Sequence, residues 1–90
     1  MSKVIITAVG RDTVGIIAKV CTYLAEKHVN VLDISQTIVQ EYFNMMMIVD
    51  MEHATGAFEE VAEELEKVGS EIGVTIRCQR EEIFVRMHRI

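Results

Sequence analysis

The chain reads as an α+β domain in which a strand-helix-strand unit occurs twice, giving one four-stranded antiparallel sheet with both helices on one face. Three observations predict it. The periodicities run β-type, helical, β-type, and then repeat in the same order. Ile17, Val20, Cys21 and Leu24 of the first helical stripe superpose at one constant offset on Phe58, Val61, Ala62 and Leu65 of the second. Finally, the first and third strands are apolar on both faces, and a split-βαβ arrangement places those two in the middle of the sheet. Because a βαβ crossover is right-handed, both helices then cover the same face.

The elements follow in order. Residues 3–9 are short and rich in β-branched side chains, a strand apolar on both faces. Gly10 to Gly15 breaks that pattern, and Ile17, Val20, Cys21 and Leu24 begin a helical stripe with Lys19, Glu26 and Lys27 on other faces. Thr13 is the expected N-cap and Asn30 the expected left-handed stop, so the first helix is predicted over residues 14–28. Residues 31–41 alternate: Leu32, Ile34, Gln36 and Ile38 form an inward face, Asp33, Ser35 and Thr37 a polar one. In residues 43–51, Phe43, Met45, Met47, Val49 and Met51 share one face and Met46 and Ile48 the other. Gly56 opens the second helix, whose stripe is Phe58, Val61, Ala62, Leu65 and Val68, with Gly69 as the expected C-cap. Val74, Ile76 and Cys78 alternate with Thr75, Arg77 and Gln79 in an edge-like strand. In the tail, Ile83, Phe84, Met87 and Ile90 recur at helical spacing, so a short docked helix is predicted. The whole is the ferredoxin-like βαββαβ topology, one domain over 1–90 with its core in 3–80 and a tail at 81–90.

Composition narrows the function classes. Half of the 90 residues are apolar and 26% are charged, far from the composition of a disordered chain. Nine basic residues against fourteen acidic give a net charge of -5. A chain that binds nucleic acid directly neutralises phosphates, so that class is disfavoured, as is an anionic membrane surface. The apolar run at residues 45–49 is far short of the roughly 18 residues of a spanning helix. No secretory signal is read at the start, and two cysteines without CxxC or CxxH spacing suit a reducing cytoplasm.

The stretch with chemical content is Gly10-Arg11-Asp12-Thr13-Val14-Gly15-Ile16-Ile17-Ala18. A strand ends, a tight loop carries a carboxylate, and a helix begins. Free N–H groups and the positive end of the helix dipole make such a loop a seat for an anion. Asp12 beside it offers a partner for an ammonium group, and the two together suit a zwitterion, an α-amino acid. The plainer alternative is a turn whose glycines serve backbone geometry and whose Asp12 satisfies loop N–H groups.

The same residues resemble a known family. "GRDTVGIIAKV" with "LAEKHVNVLDISQ" is similar to the opening of ACT domains, small βαββαβ modules that bind amino acids and regulate enzymes or transcription. Asp12 and Gly15 match the D/N-x-x-G-hydrophobic loop of that family, and Asn30 the Asn preceding its second strand. "DISQTIVQEYF" and "EEIFVRMHRI" resemble a stand-alone single-ACT family of undefined role, related to glycine-cleavage-system transcriptional repressors. The resemblance implies a homodimer paired side by side, with a small amino acid or related anion held where two copies meet. Gly10, Asp12 and the N–H groups near Val14, Gly15 and Ile16 would line that site, and Asn30 would reach in from the partner chain. Gly10 stands where serine-responsive members carry a ligand-contacting His, and Val14 where many members have Pro.

Other constellations are weaker. Asp50, Glu52 and His53 lack a second histidine at ligand spacing, so neither a metal nor another cofactor is expected. Met45, Met46 and Met47 read as core, Cys21 and Cys78 as buried thiols, and the glutamates of the second helix as a solvated face. Arg77, Arg80, Arg86 and Arg89 crowd the last stretch and pair with those glutamates or an anion. No nucleophile, base and orienter come together. The expected function is a non-enzymatic sensor acting on an unknown protein partner in trans; the alternatives are an adaptor without a small ligand and, last, an enzyme of this topology.

Overall fold

The computed structural model describes residues 1–11 and 14–87. The elements run β1 (Lys3–Arg11), α1 (Ile16–Glu26), β2 (Asn30–Val39), β3 (Tyr42–Asp50), α2 (Phe58–Ile72), β4 (Val74–Arg80) and α3 (Glu81–Met87). The four strands form one sheet in the order β2-β3-β1-β4, every pair antiparallel. The doubly apolar strands β1 and β3 occupy the middle, as their composition requires, and the half-polar strands the edges.

Strand alternation sends one set of side chains beneath the helices. Val4, Ile6 and Ala8 of β1, Phe43, Met45, Met47 and Val49 of β3, and Val74 and Ile76 of β4 meet Val20 and Leu24 of α1 and Val61 and Leu65 of α2. The doubling seen in the sequence extends to burial: Val20 and Leu24 are fully buried like Val61 and Leu65, while Ile17, Cys21, Phe58 and Ala62 are half-buried. The methionine triplet divides by alternation, with Met45 and Met47 in the core and Met46 41% exposed on the opposite face. On that opposite face Ile5 is only 4% exposed. The short helix α3 packs on β1 and β4, and its Phe84 shares a cavity wall with Thr7 and Arg77 of that face. It therefore lies across one end of the otherwise open face and shelters Ile5.

Several element boundaries differ from the sequence expectation. The first helix spans Ile16–Glu26 rather than 14–28, preceded by Gly15 in the left-handed region at φ 88. The left-handed residue after it is His28, at φ 59, not Asn30, which already begins β2. The chain reverses early because Val29 turns into the core, while Lys27 O accepts a bond from Thr55 N at 2.8 Å and His28 Nδ1 lies 3.0 Å from Thr55 Oγ1. The second helix starts at Phe58 and continues through Gly69 to Ile72, ended by Gly73 at φ 75. Gly69 is therefore not a cap. A Cβ on it would sit 2.3 Å from Val74 O, so glycine there lets α2 lie directly on β4. In the tail, Ile90 lies outside the described residues, and Ile83 is exposed rather than docked.

The largest departure is β2. Its even residues were expected to face inward, yet all ten residues of Asn30–Val39 are exposed. A bulge between Val31 and Asp33 shifts the register, so Val31, Ile34, Gln36 and Ile38 stand opposite the buried Val49, Met47, Met45 and Phe43. They thus lie on the helix side of the sheet, and the two helices do not reach far enough to cover them.

Candidate functional site

Beyond the far end of β1, Gly15 and the first turn of α1 lie beside Gln36 and Ile38 of the edge strand β2. Asp12 and Thr13 lie outside the described residues. Val14 is fully exposed, and Gly15 precedes α1 in the N-cap position. The first turn of α1 contains no acidic residue, whereas that of α2 carries Glu59 and Glu60. Among the described residues no side chain caps the N–H groups of Ile16, Ile17 and Ala18, and no acidic side chain of the first turn offsets the positive pole of the helix.

In front of that turn lies a cavity of about 320 Å³ lined by Gly15, Ile16, Ile17, Ala18, Gln36, Ile38 and Phe43. Buried Ile16 and Phe43 form its apolar base, and Gln36 of β2 supplies a polar amide with both donor and acceptor atoms. The expected residues Gly15 and Ile16 are brought together here. Gln36, Ile38 and Phe43 were not foreseen. A signal for Gln36 existed in the alternation: it is the one polar side chain among Leu32, Ile34 and Ile38.

Two other expected residues sit differently. Gly10 lies in β1, where a Cβ would come 2.7 Å from Gly73 O and 3.0 Å from Val74 Cα. Its lack of a side chain is accounted for by close packing of β1 on the α2-to-β4 turn. Asn30 stands at the opposite end of β2, paired with Asp50. At about 3.3 Å per residue it is about 20 Å along the strand from Gln36 in the same chain.

Several other polar groups serve structure. Asp50 Oδ1 accepts bonds from the backbone N–H groups of Ser2 and Glu52, each at 3.0 Å, and these two bonds hold its carboxyl below the ordinary value. Among the described residues no three metal-ligating groups converge. The Tyr23 hydroxyl donates to Glu64, and Lys27 Nζ lies 3.3 Å from Glu64 and 3.9 Å from Glu60. This network ties α1 to α2. Burial, then the bond to Glu64, pushes the Tyr23 phenol up, and the same bond pulls the Glu64 carboxyl down. Both cysteines are free thiols, and burial pushes that of Cys78 up to about 11, the opposite of an activated nucleophile.

Comparison with known proteins agrees with this fold. The family model described as ACT domain matches residues 2–79. A UPF0237 protein of Bifidobacterium longum is 66% identical over 90 residues, covering all of both chains. Among solved structures, an ACT domain protein from Streptococcus pneumoniae superposes with a TM-score of 0.81 at 41% identity, covering 92% of this chain and 93% of that one. A putative glycine cleavage system transcriptional repressor shares the fold, with a TM-score of 0.72 at 22% identity over 88% of this chain and 45% of that one. With a matching family model, a relative alike from end to end and the same arrangement of strands and helices, the chain belongs to the ACT domain family.

Proposed function

We propose that this chain is a non-enzymatic regulatory domain of the cytoplasm that binds a small amino acid at the β1–α1 connection of a homodimer and acts on a partner protein in trans. The observation that carries it is the cavity before the first turn of α1, which no described side chain caps, with an apolar base and one amide at its wall. The N–H groups near Val14, Gly15 and Ile16 would receive the ligand carboxylate, and Asp12 its ammonium group. Gln36 would hydrogen-bond whichever polar group remains. A volume of about 320 Å³ lies at the small end of ligand pockets, which suits a small amino acid.

The dimer follows from β2. A long edge strand exposing Val31, Leu32, Ile34, Ile38 and Val39 is a template for strand pairing unless something covers it. Two copies joined antiparallel along β2 form an eight-stranded sheet. About a central two-fold axis, Asn30 of each copy then faces the Gln36 and Ile38 end of the other. That brings in the sixth expected residue, which a single chain leaves at the wrong end. Ligand binding that fits one arrangement of the copies better than another would shift their geometry.

The test is a melting series with the twenty amino acids. A ligand at about 100 times its Kd adds about 2.7 kcal/mol, roughly 10–20 °C in Tm for a domain of this size. Asp12→Ala should abolish the shift and leave the dimer intact; a surviving shift would place the site elsewhere. A flat series would favour a second reading, an adaptor that uses the apolar edge of β2 only to hold another chain.

A further inference from the structure

A larger cavity than the one at the α1 turn, about 770 Å³, lies elsewhere. It runs along the outer edge of β4, where residues 74–79 line it in succession. Among the described residues β4 pairs as a strand only with β1, so along residues 74–78 its other edge presents backbone N–H and C=O groups without a strand partner. One wall is α2, through Ala62, Glu66 and Ser70; the other is Phe84 of α3 with Thr7 and Arg77 on the open face. At the end of β4 the Arg80 guanidinium stacks 4.4 Å from the Phe58 ring centre and lies 3.5 Å from Glu59. The result is a walled slot about 20 Å long, the length of six extended residues.

We propose that this slot docks an extended segment of another protein, one carrying a carboxylate and, directly beside it, a basic side chain. The backbone of the segment adds a strand to β4, the mode in which main-chain bonds supply affinity and side-chain pockets supply selection. The charges follow from alternation. Arg77 stands on the open-face wall and Glu66 on the α2 wall, and neither makes an ion pair among the described residues. Successive side chains of an added strand point to opposite faces, so one meets Arg77 and its neighbour meets Glu66. A second β4 is a poor occupant. Its own slot residue is Arg77, and a two-fold pairing would turn the Glu59, Glu63 and Glu66 side of one α2 toward that of the other. The inference names where a partner chain docks, and it stands whether or not an amino acid binds at α1.

The experiment measures backbone amide exchange in the full chain, without added amino acids, against a capped octapeptide Thr-Val-Thr-Glu-Lys-Thr-Val-Thr and a control with Lys in place of Glu. The Glu-Lys peptide should slow exchange across residues 74–79 by at least about tenfold and the control should not. Arg77→Glu should remove that protection, and Glu66→Gln on the other wall should weaken it; both positions are exposed, so the fold should persist. No slowing with either peptide, or equal slowing with both, would overturn the proposal. Growth of the protein's own oligomers through this edge, seen by light scattering, would overturn it as well, because the slot would then belong to another copy.

Discussion

The two edges of the sheet occupy equivalent topological positions and are built in opposite ways. On β4, Val74 and Ile76 are buried because α2 lies directly on the strand, an approach that Gly69 makes possible. On β2, the corresponding helix-side residues Ile34 and Ile38 are 41% and 52% exposed. β4 thus has its apolar side chains satisfied within the chain and leaves only its backbone edge open, between two walls. β2 leaves both its backbone edge and its aliphatic side chains open. An edge of the first kind suits selective docking of a polar strand, and one of the second kind suits a self-association that buries hydrophobic area.

The comparison is sharpest under truncation. Ile76→Ala should cost about 2–4 kcal/mol of folding stability in urea denaturation, whereas Ile38→Ala should cost under about 1 kcal/mol in the isolated monomer. Equal costs would mean that β2 is covered within one chain. Gly69→Ala comes next. Alanine gains about 1 kcal/mol in helix propensity, but a Cβ at 2.3 Å from Val74 O forces α2 off β4. A net loss of about 1–2 kcal/mol is expected, and a gain would show that the close contact relaxes freely. Ile38→Asp should change monomer stability by less than about 0.5 kcal/mol while lowering the mass seen by light scattering to that of one chain. A dimer that survives it pairs through some other surface.

A pH series reads the half-buried side of β4. The Cys78 thiol is held at about 11 against an ordinary 9.0 by burial, so above pH 9 the unfolded chain releases a proton that the folded chain keeps. Stability should therefore be level in this respect below pH 9 and decline from pH 9 toward pH 11. Cys78→Ser should flatten that decline. If the serine variant declines identically, Cys78 ionises as freely in the folded chain as in the unfolded one.

Two of the expected residues, Gly15 and Ile16, line the cavity before α1, and they were legible because loop chemistry is local. The glycine at position 15 and the helix that follows it can be read from a short stretch of residues, whereas the buried start at Ile16 was not foreseen. Gln36 was not recognised because Gly15 to Ala18 are distant from it in sequence and come close only through the fold, as Phe43 does through hairpin β2–β3. Gly10 and Gly69 were read as loop and cap residues. Their actual role is to let backbone segments approach closely, which no neighbouring residue in sequence announces.

Hydrophobic alternation and the helical stripes, properties of each short segment alone, determined the element order, the central placement of β1 and β3, and the inward residues of both helices. Coverage was decided in three dimensions. The helices shelter β4 and not β2, and α3 shelters Ile5, because burial depends on which surface an element of finite width happens to lie over. Alternation specifies the side of the sheet to which a residue points, and only packing determines whether anything is there to meet it.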